Sequence, residues 1–184
     1  MKTKITFVLI FLIANLSGIS LKKINHYIPT ETKVVYIDEI KELPPPPGLN
    51  DFLTAIAYKE SNNRHYVINR FGYMGKYQFS FSLIKRLGYD ITRYEFLNNS
   101  LLQDEVMITL LNHNKEILED FIYQYDGSVI NGNQITKSGI LAAAHLLGPY
   151  RTRRYLQYGE VSQDGNGTSI TEYLHNFSGY SFNL

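Results

Sequence analysis

Asn50-Asp-Phe-Leu-Thr-Ala-Ile-Ala-Tyr-Lys-Glu-Ser61 decides the fold class. Phe52, Leu53, Ile56 and Ala57 recur at helical spacing and give the segment one apolar face. Asn50 reads as its N-cap, with Asp51 placed against the positive end of the helix dipole. The run closes on Glu60-Ser61, about one turn beyond Ile56, so Glu60 falls on or near the buried face. Apolar enclosure disfavours the charged form of a carboxyl. Such an acid holds a proton near neutral pH and delivers it to a leaving-group oxygen. From position alone, a solvated glutamate near a helix end is the plainer alternative.

A second stretch, Gly72-Tyr-Met-Gly-Lys-Tyr-Gln-Phe79, follows a dozen residues later. Gly72 and Gly75 permit tight turning and close approach of backbone to a ligand. Tyr73 and Tyr77 offer ring faces to a sugar, and Gln78 offers an amide to an N-acetyl or hydroxyl group. One protonatable carboxyl beside an aromatic groove suits cleavage of a glycosidic bond. An ordinary Gly/Tyr turn has the same composition.

The remaining pattern is helical with one interruption. A helix is expected over Phe79 to Leu87, stopped by Gly88. Thr92 to Glu95 and Ser100 to Gln103 each read as a capping box, the second opening the longest helix, with Leu101, Val106, Met107, Leu110, Leu111, Ile117 and Leu118 at helical spacing. Asn131-Gly132 between apolar flanks is a hairpin signal. Thr136 caps a small-residue helix, Gly139 to Leu147, that can pack closely. Gly148-Pro149 ends it and starts another at Tyr150. Ser169 to Glu172 is a third capping box, for a helix reaching Phe177. The expected class is mainly α with one small β-hairpin.

The 184 residues hold no cysteine, which excludes disulfides, thiol nucleophiles and cysteine-based metal sites. Residues 1–20 have the form of a secretory signal: Lys2 and Lys4, an apolar run from Ile5 to Ala14, then Gly18 and Ser20 at the −3 and −1 positions of a cut after Ser20. An uncleaved membrane anchor is the alternative, although the apolar run is short of the roughly 20 residues a span needs. Export to the periplasm, the cell envelope or the medium is the expected destination. Residues 21–49, with a β-prone patch at Val34–Ile37 and the stiff run Pro44–Pro47, read as a tether, and residues 50–184 as one domain. Without residues 1–20 the chain carries 16 basic and 17 acidic side chains, a poor balance for nucleic-acid binding.

Other chemistries find little support. The sequence has no H-E-x-x-H pair, no phosphate-binding P-loop and no G-x-S-x-G elbow. His65, His113, His145 and His175 lack metal-ligand spacing, and neither metal nor cofactor is expected. Asp164-Gly-Asn-Gly-Thr168 reads as a turn, because no glutamate falls where a calcium loop needs one. Arg151, Arg153 and Arg154 form either a solvated helix face or a contact for the carboxylates of cell-wall peptides.

Three motifs in order, Tyr58-Lys-Glu-Ser61, Gly72-Tyr-Met-Gly-Lys-Tyr-Gln-Phe79 and Gly139-Ile-Leu-Ala-Ala-Ala-His145, resemble those of lytic transglycosylases of the soluble type, relatives of goose-type lysozyme. The resemblance runs from about Asn50 to Tyr180. It implies a lysozyme-like domain acting on peptidoglycan glycan strands, with Glu60 as catalytic acid, Ser61 supporting it by a hydrogen bond and Gln78 contacting the glycan. Where many members read Ala-Ala-Tyr-Asn, this chain has Ala143-Ala144-His145. His145 then takes over the polar contact, and Tyr180 supplies the aromatic expected beside the glutamate. The implied reaction breaks the β-1,4 bond between N-acetylmuramic acid and N-acetylglucosamine and leaves an anhydro ring. Hydrolysis of the same bond is the nearest alternative; an inverting hydrolase uses a second carboxylate, for which Asp90, Glu95, Asp104, Glu105 and Asp126 are candidates. A non-catalytic glycan-binding module on the same scaffold is the third reading.

Overall fold

A computed structural model describes residues 44–184, which belong to one compact unit. The expected signal and most of the tether lie outside the described residues. The unit is mainly α, with one small antiparallel hairpin: α1 (Leu49–Ser61), α2 (Phe81–Arg86), α3 (Arg93–Leu97), α4 (Ser100–Tyr125), β1 (Val129–Ile130), β2 (Asn133–Gln134), α5 (Lys137–Tyr158) and α6 (Ile170–Asn176).

Helix α1 begins slightly before the predicted start. Gly48 is its N-cap, and the Asp51 carboxylate accepts from the Gly48 N–H at 2.9 Å. A charged acceptor in the first turn thus does the work assigned to Asn50. Phe52, Ile56 and Ala57 are buried as the spacing requires, against Met74, Phe79, Phe96, Met107 and Leu111. Complete burial of a side chain such as Phe52 contributes about 2 to 3 kcal/mol.

Helix α5 carries the second cluster, where Ile140, Ala143 and Ala144 meet Leu118, Ile135 and Leu174. Its small residues permit close packing on α6: a Cβ at Gly139 would stand 2.7 Å from the Leu174 carbonyl oxygen. Gly148, with φ 81 and ψ 162, breaks the helical path, and Pro149 restarts it, so the predicted break is present within α5. Asn131 (φ 50) and Gly132 (φ 77) turn the hairpin with both central residues left-handed, the geometry that suits the twist of paired strands.

Two predicted capping boxes are replaced. Asn99, not Ser100, caps α4 by accepting from the Leu102 N–H at 3.0 Å. Gln103 is therefore free to turn inward, where it is completely buried. Its Oε1 accepts from the Lys76 N–H at 2.8 Å, and its Nε2 donates to the carbonyls of His65 (2.9 Å) and Phe96 (2.8 Å). At α6, Ser169 caps through the Thr171 N–H, while Glu172 pairs with Lys59 on α1. The box at Thr92 and Glu95 forms as predicted.

Gln103→Ala strips one buried N–H and two carbonyls of their partners, each loss costing about 1 kcal/mol or more. A fall in unfolding free energy of about 3 kcal/mol in urea titration is expected; a change below about 0.5 kcal/mol would show that the amide does not hold the loop.

Candidate active site

Glu60 stands at the last turn of α1. The helix stops there because Asn62 (φ 54) and Asn63 (φ 59) adopt the left-handed region, their N–H groups bonding back to Tyr58 and Ala57. Ser61, buried beside Glu60, accepts from the Arg64 N–H at 3.0 Å and donates to the Lys76 carbonyl at 3.0 Å. Its hydroxyl fastens the helix end to the 72–79 loop and makes no bond to Glu60. The expected support of the carboxyl by Ser61 is thus indirect, because backbone groups saturate the hydroxyl.

The loop itself is held as a narrow double bridge, Ile68 to Met74 and Met74 to Phe79. Gly75 has φ 77, and a Cβ there would come within 2.5 Å of the Gln103 side-chain oxygen, so conformation and space both require glycine. Gln78 is left-handed (φ 53), and its Nε2 donates to the Gly75 carbonyl at 2.8 Å. This uses the amide donor for the turn and leaves the side-chain oxygen to the cleft that Gln78 lines.

Tyr77 does not offer a face to a sugar. It is only 1% exposed, and its hydroxyl donates to Asp104, which also pairs with Lys76 at 2.7 Å. Burial, reinforced by the Asp104 carboxylate, pushes the Tyr77 phenol far up. The tight turn at residues 75–78, closed by the Met74 to Phe79 bridge, sends Tyr77 into the core, whereas Tyr73 before it remains exposed at the cleft wall. Tyr180 is also misplaced by the sequence reading. Its ring lies 5.4 Å from Phe52 in the core cluster, drawn there by a tail whose Ser181 N–H bonds the Pro47 carbonyl.

Tyr173 on α6 is the aromatic at Glu60. It is nearly fully buried, and its hydroxyl donates to Glu60 Oε1. Burial first, then the Glu60 charge, pushes this phenol well above its ordinary value, so it stays a donor. His145 approaches from α5, with Nε2 at 3.5 Å from the same carboxylate oxygen and its ring edge-to-face with Phe79 at 5.7 Å. Glu60 Oε2 has no hydrogen bond among the described residues.

Glu60, Phe79 and His145 line a cleft of about 260 Å³, with Tyr173 behind Glu60 and outside the lining. Phe71 and Tyr73 form part of its wall, positioned by Asn69, whose Oδ1 accepts from both of their N–H groups at 2.9 and 3.0 Å. Another part is the 164–168 turn, closed by Asp164 Oδ1 accepting from Asn166 and Thr168. Asp164 is therefore a second carboxylate on the cleft. The five acids named from sequence are engaged elsewhere: Asp90 with Lys85, Glu95 in its cap, Asp104 with Tyr77, Glu105 with Tyr89 and Asp126 with the Lys137 N–H. The arginine cluster is also committed, Arg151 to the Gln163 carbonyl, Arg153 to the Ile117 carbonyl and Arg154 to Glu160.

The site thus brings together Glu60, Tyr73, Gln78 and His145, and leaves out Ser61, Tyr77 and Tyr180 as direct contacts. Tyr173, Asn69, Phe71 and Asp164 join it without having been singled out. The Asp164 turn was legible, but its place against Glu60 was not. Comparison with protein-family models, curated proteins and solved structures finds no match for this chain.

Tyr173 gives a pH signature. Its raised phenol contributes stability that is complete below the unfolded tyrosine value of about 10 and declines as pH rises toward the folded value. Unfolding free energy should fall above about pH 10, with Tyr173 contributing a slope of about 1.4 kcal/mol per pH unit. Tyr173→Phe should remove that share in denaturant titrations across the alkaline range; an unchanged slope would mean that the hydroxyl is not enclosed.

Proposed function

We propose that this chain is a lysozyme-like lytic transglycosylase that cleaves the β-1,4 bond between N-acetylmuramic acid and N-acetylglucosamine in exported-compartment peptidoglycan. One observation carries the reading: Tyr173 occupies one oxygen of Glu60, and the other oxygen is unengaged beside a cleft with aromatic and amide walls. That division fits an acid whose proton sits on Oε2 and whose charge, once the proton leaves, is received by a fixed donor on Oε1.

Glu60 gives its Oε2 proton to the bridging oxygen as the glycosidic bond breaks, and the bonding electrons leave with the N-acetylglucosamine side. The acetamido oxygen of the muramic residue stabilises the cation formed at its C1. The C6 hydroxyl then attacks C1 and returns its proton to Glu60, which closes the anhydro ring and restores the acid. Tyr173 holds the carboxylate between the two transfers. Phe71 and Tyr73 offer apolar ring surface to the sugar, and the Gln78 side-chain oxygen accepts from an N–H or hydroxyl.

Hydrolysis of the same bond is the second reading, and Asp164 is the observation that favours it. An inverting hydrolase uses a second carboxylate about 6.5–9.5 Å from the acid to activate water. Asp164→Asn separates the two, since it keeps the turn-closing oxygen and removes the charge.

Glu60→Gln should lower muropeptide release from purified walls by about a thousandfold or more. Asp164→Asn should stay within about threefold of the unaltered protein, with product ends lighter by one water than hydrolysed ends. Hydrated ends together with a large loss in Asp164→Asn would establish the hydrolase instead. Release of no muropeptides by the unaltered chain would leave a glycan-binding module.

A further inference from the structure

A larger cleft of about 870 Å³ lies between α2, α4 and the α5 break, and adjoins the Glu60 cleft at two shared side chains, Leu83 and His145. Its walls combine three kinds of group. Leu83, Leu87 and Ile117 are apolar. Arg86 makes no hydrogen bond or ion pair among the described residues, unlike its neighbour Lys85, which pairs with Asp90 at 2.7 Å. Asn114 is only 1% exposed, yet its Nδ2 has no partner.

An unpaired buried amide donor costs about 1 to 3 kcal/mol and points to a missing acceptor. His145 Nδ1 is likewise buried without a partner, and His145 also lines this cleft. Of the three such orphaned side-chain atoms among the described residues, two therefore belong to residues on these walls; the third is Arg153 Nε.

We propose that this second cleft is a subsite for the carboxylate-bearing peptide branch of the glycan whose backbone lies over Glu60. The inference rests on the glycan reading above and deepens it. N-acetylglucosamine carries no charge, and the lactyl carboxyl of a branched N-acetylmuramic acid is consumed in the amide to its peptide, so the branch's own carboxylates are the groups that match the Arg86 guanidinium fork. Peptide carbonyls supply the acceptors that Asn114 lacks. Aliphatic side chains and methylenes cover Leu83, Leu87 and Ile117. Glu116 on the same wall gives a free amine of the branch a partner. Because Leu83 and His145 belong to both clefts, a branch leaving the sugar at the first enters the second without crossing another element.

The test measures binding by calorimetry to full-length Glu60→Gln protein, which holds the strand uncut. Three ligands are compared: a peptidoglycan oligosaccharide carrying its peptides, the same strand with peptides removed enzymatically and the exposed lactyl carboxyls converted to amides, and the free peptide. The peptide-bearing strand should bind about tenfold more tightly than the stripped one. Adding Arg86→Ala, at an exposed position of α2, should bring the ratio to about one, and Arg86→Lys should restore part of it. Equal affinities with Arg86 intact, or a preference unchanged by Arg86→Ala, would overturn the subsite while leaving the glycan reading in place. Failure of every ligand to bind would overturn both. Free peptide bound in an Arg86-dependent way, with no affinity for either strand beyond it, would uphold the subsite and remove the glycan reading.

Discussion

The amide of Gln103 is the interaction on which the site's geometry depends. Lying on α4, it holds three separate pieces of backbone, at His65, Lys76 and Phe96. Two of these belong to the irregular segment between α1 and α2, which has few regular hydrogen bonds of its own. Buried polar backbone requires partners, and Gln103 supplies them where no strand or helix can. Gly75 completes the arrangement by leaving room for the amide oxygen. With the loop anchored there and at Ser61, Gln78 and Phe79 are set beside Glu60 without belonging to a regular element.

The other half of the site depends on close helix packing. The small residues at the start of α5 let α6 approach at Gly139, and α6 brings Tyr173 against the end of α1. The exposed Lys59–Glu172 pair adds a tether between the same two helices, worth at most about 1 kcal/mol at such exposure. His145 follows the small-residue run of α5 directly, so the same packing carries it to Glu60 and Phe79. Glu60 is thus approached from one side by a phenol and from another by an imidazole, both on elements far away in sequence.

Local signals were legible where the physics is local. The α1 face, the Asn131-Gly132 hairpin, the Thr92 to Glu95 box, the Gly148-Pro149 break and the Asp164 turn each depend on neighbours within a few residues. Errors arose where one side chain had two partners to choose between. Gln103 and Glu172 both fit a capping box, but each found a stronger use across the fold, one in the interior and one on α1. Tyr77 and Tyr73 share a loop and a residue type, and only the turn at residues 75–78 decides that one enters the core and the other faces the cleft.

The sequence by itself determined a mainly helical unit with one hairpin and a glutamate closing the first helix, because helical spacing, caps and left-handed turns are set by adjacent residues. Only the tertiary structure decided what surrounds that glutamate. Tyr173 rather than Tyr180 reaches it, Asp164 rather than the five suspected acids shares its cleft, and Ser61 turns to the backbone. The physical reason is that a side chain's partners are chosen by packing between distant elements, and periodicity along the chain carries no record of which elements meet.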